Sequence, residues 1–117
     1  MKIVPLFSLF LLLYTVPLFS HAVISEQMET ASTVSIRFSY EDGEPMAYAA
    51  VEIFSPAEDR VPFQTGRTDK NGVFSFVPDA EGMWLVSADD GDDHVSSPSF
   101  IVEKEGNRFI TKPQELL

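Results

Sequence analysis

Residues 33–40, TVSIRFSY, decide the fold class. Val34, Ile36, Phe38 and Tyr40 alternate with Ser35, Arg37 and Ser39. A period of two places the apolar set on one face of a β-strand and the polar set on the other. The pattern recurs on both sides of a turn cluster, Glu41-Asp42-Gly43-Glu44-Pro45, in which Gly43 can take a positive φ and Pro45 restricts the exit. In 46–54 (MAYAAVEIF), Ala47, Ala49, Val51 and Ile53 share one side, and Tyr48, Ala50, Glu52 and Phe54 share the other. The small alanines imply close approach of a second sheet.

Further along, 55–62 (SPAEDRVP) carries two prolines and three charges and reads as a surface loop. The stretches 63–68 (FQTGRT) and 73–77 (VFSFV) flank Asp69-Lys70-Asn71-Gly72. Because Asn-Gly tolerates left-handed backbone, this predicts a hairpin that pairs the two stretches. After a turn at 78–82 comes another strand, 83–88 (MWLVSA), with Trp84 and Val86 on the same side. An acidic loop, 89–93 (DDGDD), leads to His94, and 99–103 with 108–111 form a last hairpin around 104–107. Six or seven short strands, turn signals about every eight to twelve residues and no stretch with a helical period predict an all-β domain over 33–112, a small antiparallel β-sandwich. There is no internal repeat.

The chain has 117 residues, a formal charge of −10 and no cysteine. One modest domain fits that length. Without cysteine there is no disulfide, thiol nucleophile or zinc-finger site. The acidic balance argues against nucleic acid as a partner, because phosphate affinity comes from Lys and Arg releasing counterions. Residues 1–22 read as a signal peptide: Lys2 gives a positive start, 3–19 is almost wholly apolar, and Ser20-His21-Ala22 offers small residues at the cleavage positions. The alternative is an uncleaved membrane anchor, on the short side for a bilayer span and interrupted by Pro5 and Pro17. Cleavage would leave a loose polar tail at 23–32, the domain and a C-terminal tail at 113–117, with no stable membrane insertion. Loss of Lys2 leaves seven basic against eighteen acidic residues, a charge of −11. An exported chain without cysteine suits a periplasmic or secreted location.

The central stretch resembles known families. Asp42-Gly43-Glu44-Pro45, then Met46-Ala47-Tyr48-Ala49, then Thr65 to Phe76 with its Thr68-Asp69-x-x-Gly72-x-Phe74 signature, is similar to carboxypeptidase-regulatory-like and transthyretin-like domains. That similarity covers roughly 34–88 and implies a Greek-key sandwich. A narrower resemblance adds Phe63-Gln64, Phe76-Val77-Pro78-Asp79, Gly82-Met83-Trp84 and Asp89-Asp90-Gly91 with His94. Together these look like small periplasmic accessory components of nickel and cobalt uptake transporters. The implied function is a non-enzymatic helper of metal import, partnered by a membrane transporter complex or another envelope protein. The chain departs from that pattern in having no histidine-rich segment near the mature N-terminus.

Ligand chemistry concentrates in one loop. Asp89, Asp90, Asp92, Asp93 and His94 form the candidate metal set. In an extended backbone Asp90, Asp92 and His94 would project to one side. Carboxylates with one imidazole suit nickel, cobalt or zinc; calcium is less suited, and DDGDDH does not match the twelve-residue calcium loop. The competing reading is a solvated turn, acidic like the rest of the domain. Asp69, Asn71 and Gly72 are turn formers. Trp84, Phe74 and Phe76 can serve as a sugar platform or as core, and their period favours core. Tyr48 and Phe54, if exposed, would make a partner-binding patch.

Catalysis lacks residues. His94 is the sole histidine of the exported portion, so the two-histidine iron centre of intradiol dioxygenases cannot be built in one subunit. The ending Pro113-Gln114-Glu115-Leu116-Leu117 lacks the Tyr-Arg-Gly-Ser of the hydroxyisourate hydrolases, and no Gly-x-Ser-x-Gly is present. The expectation is therefore a binding protein without enzymatic activity and without a required cofactor. A divalent ion, nickel or cobalt, is the candidate ligand. The alternative is an adhesive or structural envelope module that binds protein or glycan without metal.

Overall fold

The computed structural model describes residues 22–28 and 30–112. The leader expected at 1–22 lies outside them except for Ala22, and so does the tail expected at 113–117. Among the described residues every regular element is a strand: β1 (Val34–Arg37), β2 (Ala50–Phe54), β3 (Gln64–Arg67), β4 (Val73–Phe76), β5 (Gly82–Asp89), β6 (Val95–Ser96), β7 (Ser99–Glu105) and β8 (Arg108–Thr111). All pairings are antiparallel. One sheet consists of β1 and β4. The other runs β3-β2-β5-β7-β8, with β6 on β5. No helix among the described residues is long and apolar enough to cross a membrane.

The alternation expected at 33–40 builds the small sheet. Val34 and Ile36 stand opposite Phe76 and Phe74, and all four point inward with Phe38. From the larger sheet come Val51 and Ile53, then Trp84, Val86 and Ala88, then Val102. One core fills the space between the sheets, as in a β-sandwich. At its centre the fully buried Trp84 meets Phe76 at 5.4 Å between ring centroids and Phe63 edge-on at 5.0 Å. Its indole N–H donates to the Ala80 carbonyl at 3.0 Å, which removes the cost of burying the polar end. With Trp84, Phe74 and Phe76 all buried, no aromatic sugar platform exists there.

Several expectations are corrected. The Asp69–Gly72 turn forms, but it does not close a hairpin between the stretches it joins. β3 pairs with β2 and β4 pairs with β1, so the turn carries the chain from one sheet to the other. The local chemistry is as expected: Asp69 Oδ1 accepts the backbone N–H groups of Asn71 and Val73, at 2.8 and 2.9 Å. The strand expected over 46–54 is shortened to Ala50–Phe54. Thr68, buried between the layers, intercepts the backbone before it: its hydroxyl donates to the Met46 carbonyl at 2.5 Å and accepts the Ala49 N–H at 2.8 Å. Met46 is consequently buried, Ala47 is exposed, and Tyr48 takes a positive φ of 56°. The strand expected over 33–40 stops at Arg37, and Tyr40 enters the following turn, donating its N–H to Glu44. β6 is an additional short strand after the acidic loop. At the N-terminal end, Ser32 is buried, and its hydroxyl accepts the Phe109 N–H at 2.9 Å.

Candidate functional site

The acidic loop is the connection of a β5–β6 hairpin. Asp89 pairs with Val95 and Ala88 with Ser96, so residues 90–94 must reverse the chain. Two residues supply left-handed backbone for that reversal, Gly91 at φ 80° and Asp93 at φ 66°; aspartate tolerates this conformation better than most side chains. The loop is therefore not extended, and Asp90, Asp92 and His94 do not project as one row.

Asp90 turns back into the loop and organises it. Its Oδ1 accepts the N–H of Asp92 at 2.8 Å and that of His94 at 3.2 Å, while its own N–H donates to the His94 carbonyl at 3.1 Å. Its Oδ2 accepts the Tyr40 hydroxyl at 2.7 Å and lies 2.8 Å from His94 Nδ1. Tyr40 comes from the turn after β1, so this contact ties the 40–44 turn to the 90–94 loop. The Tyr40 ring also meets the His94 ring edge-on, with centroids 5.3 Å apart.

The electrostatics follow from these bonds. The Tyr40 hydroxyl is the largest influence holding the Asp90 carboxyl down at about 2; partial burial works against it, and the N–H groups of Asp92 and His94 and the imidazole add to the lowering. The Tyr40 phenol is pushed up, first by that same hydrogen bond, then by burial and by the charges of Asp90, Asp92 and Asp42. An ionised carboxylate only accepts, so His94 Nδ1 carries the proton that bridges to Asp90. Nε2 is then the nitrogen of the neutral ring with a free lone pair.

A cleft of about 650 Å³ opens beside this pair, lined by Ser39, Tyr40, Glu41, Asp42, Met46, Asp93, His94, Val95 and Ser96. Three carboxylates, Glu41, Asp42 and Asp93, thus share it with the His94 ring. Of the five expected site residues, the structure brings Asp90 and His94 into contact and sets Asp93 with His94 on the cleft. Asp89 is occupied locally, its Oδ1 accepting the Gly91 N–H at 2.8 Å, and neither it nor Asp92 lines the cleft. Among the described residues no three histidine, aspartate, glutamate or cysteine side chains gather into a ready-made metal set. Sequence reading missed Tyr40, Glu41 and Asp42. Their only signal is that a phenol and two acids close the first strand pattern, and nothing local shows which loop they will meet. Comparison with protein-family models, with curated proteins and with solved structures gives no match.

Proposed function

We propose that the chain is a non-enzymatic accessory protein of the cell envelope, exported by its first 22 residues, that assists nickel or cobalt uptake. The observation that carries this reading is the Asp90–His94 pair at the mouth of a cleft bearing three further carboxylates. A carboxylate on one imidazole nitrogen orients the ring and raises the basicity of the other, which is how metal-binding histidines are commonly supported. Asp90 is then the orienting group and His94 Nε2 the donor, with Asp93, Glu41 or Asp42 as carboxylate partners. Such a set leaves coordination positions for water or for groups of a transporter, which suits transient holding and handover better than storage.

The test is calorimetric titration of the exported protein with nickel, cobalt, zinc and calcium, alongside His94→Ala and the double variant Asp90→Asn/Asp92→Asn. The expected result is saturable binding of nickel or cobalt that His94→Ala abolishes and the double variant weakens by about 10–100-fold. Absence of saturable binding in the unmodified protein would refute the metal reading.

A second reading, an envelope module that binds protein through a sheet face, is favoured by a different observation. On the outer face of the larger sheet, Met83 stands opposite Ile101 and Leu85 opposite Phe54. Met83 and Leu85 on β5 and Ile101 on β7 are exposed, and the half-buried Phe54 on β2 continues the apolar band to a third strand.

A further inference from the structure

A site separate from the His94 pair lies along β1. This strand is hydrogen-bonded to β4 alone. Phe38 N–H donates to the Gly72 carbonyl at 2.9 Å, which extends the β1–β4 register by one step and fixes its phase. Val34 and Ile36 therefore aim their backbone groups at β4, Phe38 gives its N–H to Gly72 and its carbonyl to the Met46 N–H on that same side, and Ser35, Arg37 and Ser39 aim theirs at the open side. Facing that side, across a groove of about 480 Å³, are Ser96, Pro98 and Phe100.

Two mismatches mark this edge as unfinished. A two-stranded sheet covers one of six strands, and at the β7–β8 end Phe100 and Phe109 pack on the core only partly buried. A strand added to β1 would lie over them. The second mismatch is one of charge. Arg37 is exposed, and its guanidinium has no hydrogen bond or ion pair among the described residues, although acidic residues outnumber basic ones by more than two to one. Arg67 is held by the Tyr48 carbonyl, Arg108 by Glu105 and Lys112 by Glu103; Arg60, Lys70 and Lys104 share Arg37's lack of a side-chain partner among the described residues, but of these four Arg37 alone lines the groove.

We propose that the free edge of β1 accepts an extended peptide segment of a partner protein by antiparallel strand addition, with an acidic residue opposite Arg37 and apolar residues on either side of it. Period-two geometry dictates that pattern: the residue across from Arg37 faces outward, and those across from Ile36 and Phe38 face inward toward Phe100. A second copy of the chain fits poorly. Antiparallel pairing of β1 with itself sets two Arg37 side chains near each other and brings together two strongly acidic domains. The inference goes beyond the metal reading and does not rest on it.

The experiment is an amide NMR titration of the exported protein with two synthetic probes: an acetylated and amidated peptide with the core Thr-Val-Glu-Val-Thr between serines, and its Lys-for-Glu counterpart. The expected result is saturable shifts at 35–39 and 96–100 with the Glu peptide. Arg37→Glu should weaken that peptide about fivefold and strengthen the Lys peptide, with Arg37→Gln intermediate. Absence of shifts, shifts elsewhere, or equal affinities of Arg37→Glu for both peptides would overturn the proposal and leave Arg37 as a charge that merely discourages edge pairing. Concentration-dependent shifts at 35–39 without peptide, accompanied by a dimer in sedimentation, would overturn it in favour of self-association. Each outcome is read independently of nickel or cobalt binding.

Discussion

The Tyr40 hydroxyl donates to Asp90 Oδ2 at 2.7 Å across 50 residues of chain. This bond joins the two turns that flank the cleft, and it fixes the carboxylate that in turn holds His94. Removing the hydroxyl should separate positioning from folding. In Tyr40→Phe the ring remains against the core while Asp90 loses its largest stabilising contact. Its carboxyl should rise from about 2 toward the ordinary carboxylate range. Carboxyl-carbon NMR titration reads the change, with amide shifts outside the 40–44 and 90–94 segments expected to stay put.

The same depressed carboxyl gives the loop an acid limit. Asp90 binds its proton less readily when folded than when unfolded, so its contribution is complete above the unfolded value near 4 and is lost as pH falls through about 2. Protection of the Asp92 and His94 amides, whose N–H groups Asp90 accepts, should therefore fall relative to their intrinsic exchange rates between pH 4 and 2. Protection at the β2–β5 ladder should outlast it. Simultaneous loss at both places would show that the loop is not ordered by Asp90.

Gly72 is required by its surroundings as well as by its backbone. Its φ is 76°, and a Cβ there would run into the Phe38 carbonyl and crowd the Met46 N–H. Gly72→Ala should cost at least about 2 kcal/mol in urea denaturation. The expected loss comes from the junction of β1, the 40–44 turn and β4, so it should also weaken the Tyr40–Asp90 contact.

Thr68 carries the link between the 46–49 segment and β3. Thr68→Val keeps the shape but leaves the Ala49 N–H and Met46 carbonyl without their partner in a site only 1% exposed. Stability should fall by about 1–3 kcal/mol, measured by denaturant unfolding followed through Trp84 fluorescence. A neutral effect would mean that water enters to replace the hydroxyl.

How far the sequence carries can be seen in these residues. The alternation of Val34, Ile36 and Phe38 marks a half-buried strand, and the same logic identifies Trp84 and Val86 as interior. Partner choice is harder to read. Gln64–Arg67 has no apolar alternation, so nothing in it distinguishes pairing with β2 from pairing with β4. The Asp69–Gly72 turn chemistry describes four residues and is silent about the sheets beyond them. Likewise, MAYAAVEIF looks like one strand because its apolar residues are dense, whereas a threonine from 14 residues beyond its end, Thr68, captures the backbone in the middle. In the site, the spacing of Asp90 and His94 is visible locally. The pairing with Tyr40 depends on packing two sheets together and has no local signature.

The most direct test of the account is where a paramagnetic ion sits. Cobalt added to the isotope-labelled protein spanning residues 23–117 should broaden His94 first, with Asp93 and the 40–42 segment next, while Met83, Leu85 and Ile101 on the outer sheet face keep their signals. It should fail to do so in His94→Ala. Broadening spread evenly over the acidic surface, or unchanged by His94→Ala, would contradict the proposal that His94, oriented by Asp90, is the metal donor.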